Sequence, residues 1–124
     1  MTEQRPILLV EDNELNREML SRRLTRAGLQ VIVAVDGEQA LALMASNHPA
    51  LVLMDMNLPV MDGWTACNHA RKDPALCDIP IIALTAHAMD SDRRNALAAG
   101  CDDYATKPID FPELLAKIER LKSP

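Results

Sequence analysis

A chain of 124 residues with 48% hydrophobic composition is long enough for one packed core and leaves little for a second module, so residues 1–124 are expected to form a single domain. Its 13 Lys and Arg against 18 Asp and Glu give a formal net charge of -5, which argues against the clustered positive surface that nucleic-acid phosphates require and points to proteins or small anions as partners. Three cysteines without CxxC spacing (Cys67, Cys77, Cys101) suggest reduced thiols rather than a disulfide framework or a zinc site, and no apolar stretch approaches the ~18 residues of a membrane span. With no apolar signal-peptide core in Met1–Pro6, a cytoplasmic location is expected.

In chain order, Ile7–Val10 is an apolar run that stops at Glu11-Asp12-Asn13, the pattern of a strand buried on both faces and ending in carboxylates. From Asn13 to Ala27, Met19, Leu20, Leu24 and Ala27 recur at helical spacing, with Asn13 as N-cap and Gly28 as the stop. The cycle repeats with a strand over Val31–Ala34 and a helix over about Glu38–Ser46 that ends before Pro49. Leu51–Met54 is a third buried run, closed by Asp55 and the loop Met56-Asn57-Leu58-Pro59-Val60-Met61, after which Asp62 caps a helix from Gly63 to Arg71. Pro80–Thr85 predicts a fourth strand, Met89–Ala99 a fourth helix, Asp103–Thr106 a short fifth strand and Phe111–Leu121 a closing helix striped by Leu114, Leu115, Ile118 and Leu121.

Alternating strand and helix units predict an α/β fold, a doubly wound (βα)5 flavodoxin-like domain with a five-stranded parallel sheet in the order 2-1-3-4-5. In that order the topological switch lies between the first and third strands, and ligands bind outside the carboxyl ends of strands at such a point. Glu11, Asp12 and Asp55 fall there. Carboxylates converging within ~4 Å repel by roughly 4 kcal/mol per pair at an effective dielectric near 20, so they call for a cation. Oxygen donors favour Mg²⁺, which would let Asp55 attack an anionic phosphoryl group. Lys107 and Thr85, each at a strand's carboxyl end, are placed to bind phosphoryl oxygens.

Glu11-Asp12, Asp55, Thr85-Ala86 and Lys107-Pro108, in this order and with the loop Met54–Gly63 and the stretch Ala99–Pro108, resemble the receiver domain of two-component response regulators over Ile7 to about Leu121. The resemblance implies that Asp55 takes a phosphoryl group from a phosphohistidine on a histidine kinase or histidine phosphotransfer protein and passes the signal to a downstream protein target. It implies Mg²⁺ held by Asp12, Asp55 and the backbone carbonyl of Asn57, with Glu11 acting through water. It further implies that Thr85 and Tyr104 form a switch pair, that Lys107 binds phosphoryl oxygens, and that its bond to Pro108 is cis. Such a domain catalyses only its own phosphorylation and dephosphorylation and is not an enzyme in the usual sense. A helix bundle bearing the histidine would dock on the first helix and near Pro108-Ile109. Leu15 and Met19, an i, i+4 pair rotated off the Leu20, Leu24, Ala27 stripe, join Ile109 as the candidate partner surface.

Other residues carry plainer expectations. Asp62 reads as a helix cap, Asp102 and Asp103 as loop and strand-entry residues, and His48 as a loop residue. Cys67 and His69 share no helix face and so form no metal pair. His87, two residues beyond Thr85, stands where receivers tune phosphoryl lifetime, as they do at Asn57. A haloacid-dehalogenase-like phosphatase also uses an Asp nucleophile on an α/β sheet, but it places Asp-x-Asp on the first strand. A flavodoxin-like electron carrier is opposed by acids in place of a phosphate loop and by 2% aromatics. A phosphorylation-independent interaction module would lack some of the pocket residues, and all are present.

Overall fold

The computed structural model describes residues 5–86, 94 and 97–122. The apolar runs become strands and the amphipathic stretches helices: β1 (Ile7–Val10), α1 (Glu14–Arg26), β2 (Val31–Ala34), α2 (Gly37–Asn47), β3 (Leu51–Asp55), α3 (Gly63–Lys72), β4 (Ile81–Thr85), β5 (Asp103–Thr106) and α4 (Phe111–Leu121). The expected helix Met89–Ala99 lies largely outside the described residues. Arg94, Leu97 and Ala98 are helical, and Gly100 follows at φ +103, a conformation that suits a glycine ending a helix.

Four helices begin on an acidic or amide cap whose side chain accepts a backbone N–H in the first turn: Asn13 from Asn16, Asp36 from Gln39, Asp62 from Thr65 and Asp110 from Glu113. Each such cap contributes about 1 kcal/mol. Element ends differ from the sequence reading by a residue or two. β4 starts at Ile81 because Pro80 has no N–H for the ladder, although its carbonyl still accepts from Val52 at 2.8 Å.

The sheet is parallel throughout with order β2-β1-β3-β4-β5. Strand residues alternate between two cores. Leu8, Val10, Val52, Met54, Ile81 and Ala83 pack with buried residues of α2 and α3, while Ile7, Leu9, Leu51, Leu53, Ile82 and Leu84 pack with Leu24, Leu114 and Ile118 of α1 and α4. Every residue of β1, β3 and β4 is buried, as helices on both faces require.

Register decides what reaches the carboxyl edge. Val10 pairs with Met54, so Glu11 and Asp55 stand side by side one position further on; Asp55 pairs with Leu84, which puts Thr85 next; and Thr85 pairs with Thr106, which puts Lys107 next. Four polar residues far apart in sequence are thereby lined up along one rim.

Candidate functional site

At that rim Lys107 Nζ donates to Asp55 Oδ2 at 2.8 Å and to Glu11 Oε1 at 3.4 Å. Asp55, Glu11 and Thr85 are the buried polar residues among those described, each at most 5% exposed, whereas Asp12 is exposed. A buried carboxylate is tolerated only when paired and hydrogen-bonded, and Asp55 has both Lys107 and the Asn57 backbone N–H, which donates to Oδ1 at 2.9 Å. The loop after β3 is folded back beneath it. Gly63 N donates to Met56 O at 3.3 Å, and a Cβ on Gly63 would stand 2.4 Å from the carbonyl oxygen of Asp55, so only glycine fits there. Gly37 N likewise donates to Met61 O at 3.0 Å, pinning the far end of the loop to α2.

One carboxylate oxygen from each of Glu11, Asp12 and Asp55 lies within 4.8 Å of the others. Burial, then a hydrogen bond and repulsion from Asp55, push the Glu11 carboxyl up to about 7, against the opposing pull of Lys107. Burial works against the charge of Lys107, yet the hydrogen bond to Asp55 and the charges of Asp55 and Glu11 prevail and raise it above its ordinary value. Repulsion from Asp55 is one of the causes that raise Glu11, and a second cation would relieve that part. Three oxygen donors at this spacing suit a hard divalent ion.

The structure brings Glu11, Asp12, Asp55 and Lys107 together, with Thr85 buried at the next strand end and Asn57 exposed at the loop mouth. Tyr104 is half-buried on β5, and the Lys107–Pro108 bond is cis. Leu15 and Met19 are 66% and 49% exposed. A groove of about 550 Å³ is lined by Glu11, Met19, Leu20, Lys107, Pro108 and Ile109. Asp102 and Asp103 are held away from the acid cluster by ion pairs to Arg71 and Arg120. His87 lies outside the described residues. Sequence reasoning missed Arg17, whose Nη1 donates to the carbonyls of Glu11 at 3.0 Å and Asp12 at 3.4 Å and so braces the acid pair's backbone. It also missed Val60, 81% exposed and held at φ 65 in a tight turn closed by Met61 N and Pro59 O at 2.6 Å. Both are short-range contacts, the turn within Pro59–Met61 and the brace across five and six residues, that apolar spacing and capping residues do not mark.

Residues 7–119 match the family profile of the response regulator receiver domain. The chain belongs to that family. As a receiver domain it is part of two-component signalling, and its curated relatives are regulators of greater length. It is 38% identical over 115 residues to the DNA-binding dual master transcriptional regulator RpaA of Synechocystis, covering 93% of this chain and 48% of that protein. It is 39% identical over 115 residues to the response regulator PleD of Caulobacter vibrioides, covering 93% of this chain and 25% of PleD. The receiver domain therefore spans half or less of the length of these relatives.

Among solved structures it resembles the receiver domain of sensor histidine kinase PA1611 from Pseudomonas aeruginosa, which carries a magnesium ion coordinated in its active-site cleft (TM-score 0.88, 39% identity, 96% of this chain and 98% of that one). It also resembles the receiver domain of Ssk1 from Saccharomyces cerevisiae, solved with the histidine phosphotransfer protein Ypd1 (TM-score 0.87, 31% identity, 96% and 89%). Among the described residues of this receiver domain, no helix is long and apolar enough to cross a membrane.

Proposed function

We propose that Asp55 is the phosphoryl acceptor of this receiver domain, taking the group from a phosphohistidine of a histidine kinase or histidine phosphotransfer protein and altering contacts with a downstream protein. The observation that carries this is the convergence of Asp55 with Glu11, Asp12 and Lys107 at the carboxyl edge of β1, β3 and β5. An Asp55 oxygen attacks phosphorus as the bond to the donor imidazole breaks, and the released imidazole takes up a proton. Lys107, already on Asp55 Oδ2, moves its charge onto a phosphoryl oxygen as negative charge shifts outward from the carboxylate. Thr85 supplies a hydroxyl donor from its strand end. Glu11, Asp12, Asp55 and the Asn57 carbonyl would hold Mg²⁺, which when bound supplies positive charge that lets one anion approach another.

Tyr104 answers Thr85 as the second half of the switch, while Leu15, Met19 and Ile109 form the docking rim for the donor. Asn57 at the loop mouth tunes phosphoryl lifetime, as does His87. In this reading residues 1–124 are one cytoplasmic receiver domain, alone or joined to further modules, that turns over only its own phosphoryl group. The decisive experiment is incubation with acetyl phosphate and Mg²⁺ followed by intact mass and peptide mapping. One phosphoryl group on Asp55, lost with Asp55→Asn and with chelator, is the expected result. Equal labelling of Asp55→Asn refutes the assignment.

A further inference from the structure

Cys67 and Cys101 are 34 positions apart in sequence, yet their Sγ atoms lie 3.4 Å apart in the core. Cys67 is fully buried on α3 and Cys101, 5% exposed, sits just before β5. Arg71 imposes this meeting. It stands one helical turn after Cys67, on the same face, and grips the residues on both sides of Cys101: Nε donates to Gly100 O at 2.6 Å and Nη2 to Asp102 Oδ2 at 2.8 Å. Its Nη1 reaches the carbonyls of Cys77 and Ile79 at 3.0 and 2.8 Å. Asp102 is fixed independently, because its Oδ2 accepts from Ile81 N and its own N donates to Ile81 O, both at 2.8 Å. A Cβ on Gly100 would stand 2.5 Å from Arg71 Cγ, so glycine is what lets the guanidinium lie across this segment.

We propose that Cys67 and Cys101 are an oxidisable thiol pair that closes to a disulfide at the expense of a hydroperoxide, tying α3 to the entry of β5. The two sulfurs already face each other at 3.4 Å, so closure asks them to approach to the bonding distance of about 2 Å. Cys67 is the attacking sulfur. The hydrogen bond between the two sulfurs lowers its pKa, burial opposes that, and Arg71 adds to the lowering, while the same hydrogen bond and burial push the Cys101 thiol up. Hydrogen peroxide, little larger than water, is the oxidant. The Cys67 thiolate attacks one peroxide oxygen, the O–O bond breaks, and the hydroxide released takes the proton that Cys67 lost. Cys101 then attacks the sulfenic sulfur, the S–S bond forms, and the second hydroxide leaves as water with the Cys101 proton. Two thiols and one hydrogen peroxide thus become one disulfide and two waters.

The test is treatment of the folded chain with hydrogen peroxide, blocking with iodoacetamide in denaturant, and intact mass with peptide mapping. The expected result is loss of two hydrogens, a cross-linked Cys67–Cys101 peptide, alkylation at Cys77 alone, and a thermal midpoint that rises on oxidation and falls back with dithiothreitol. Cys77→Ser should close the same bond, and Cys67→Ala should not. The proposal is overturned if Cys67 and Cys101 are both recovered alkylated while oxidation is confined to the exposed Cys77. It is equally overturned if Cys77→Ser keeps all its thiol hydrogens.

Discussion

Lys117 Nζ donates to the carbonyl oxygen of Tyr104 at 2.6 Å and stands 5.1 Å from the centroid of the same residue's ring. It reaches from α4 around the edge strand β5, steadied by Asp103 Oδ1 at 3.7 Å and Glu113 Oε1 at 3.4 Å. One ammonium therefore holds both the backbone and the ring of the proposed switch residue. Lys117→Met keeps the apolar stem and removes the charge, and should lower unfolding free energy by about 1–2 kcal/mol in denaturant titration. A change of about 1 kcal/mol in ring orientation should alter partner affinity of the unphosphorylated protein roughly fivefold. Reduced stability with unchanged affinity would confine Lys117 to a structural role.

That contact marks the boundary of what the sequence makes legible. Sheet order, the buried central strands, the caps and the rim residues are readable because each leaves a local trace: an unbroken apolar run, an Asp before a helix, a carboxylate at a strand's end. The register that aligns Glu11, Asp55, Thr85 and Lys107 then follows from parallel pairing. The grip of Arg71 on Gly100 and Asp102 and the meeting of Cys67 with Cys101 leave no such trace. Each joins segments whose approach is set by the packed fold, and an Arg or Cys on a helix looks alike whether it meets solvent or a distant loop. Helix ends moved by a residue or so because capping geometry, rather than hydrophobic spacing, sets them.

Glu11 predicts a pH dependence whose sign can be worked out for metal-free protein. Its folded pKa of about 7 lies above the ordinary 4.5, so its stabilising contribution is fully present below pH 4.5 and is lost as pH rises through about 7. Lys107 is raised above 10.5, so its contribution persists until pH passes that value and does not disturb the lower window. In chelator the denaturant midpoint should fall between about pH 5 and pH 7.5, and Glu11→Gln should remove that component. Mg²⁺ affinity should rise over the same window, since the carboxyl must lose its proton to serve the ion. A flat metal-free profile identical in the Gln variant would contradict this account of the cluster.

Thr85 tests the readout apart from the chemistry. It is buried at the end of β4, beside Thr106 and one position beyond the residue paired with Asp55. Thr85→Ala should still be labelled by acetyl phosphate within about twofold, because attack requires Asp55 and the cations. The coupling between phosphorylation and partner affinity, about 5–150-fold in typical allosteric pairs, should collapse toward unity. Partner binding that keeps its full phosphorylation dependence places the switch elsewhere.

The rim of the site offers the last test, which separates docking from chemistry. Leu15 lies in the first turn of α1, three residues after Asp12, and remains 66% exposed, while Met19, one turn on, borders the groove that continues to Pro108 and Ile109. The core face of the same helix is already served by Leu20 and Leu24, so Leu15 is not needed to seat α1 on the sheet. A phosphohistidine on a helix bundle must approach Asp55 across this rim, and covering an exposed Leu and Met would supply apolar docking energy, where truncating a good anchor costs about 2 kcal/mol or more. Leu15→Asp should therefore slow phosphotransfer from the cognate histidine protein at least about tenfold, equivalent to about 1.4 kcal/mol. Its folding free energy should change little, since the side chain is largely in solvent. Acetyl phosphate, which needs no docking surface, should label the variant almost as fast as the parent. Equal impairment with both donors would mean that Leu15 supports the pocket itself and that the docking face lies elsewhere.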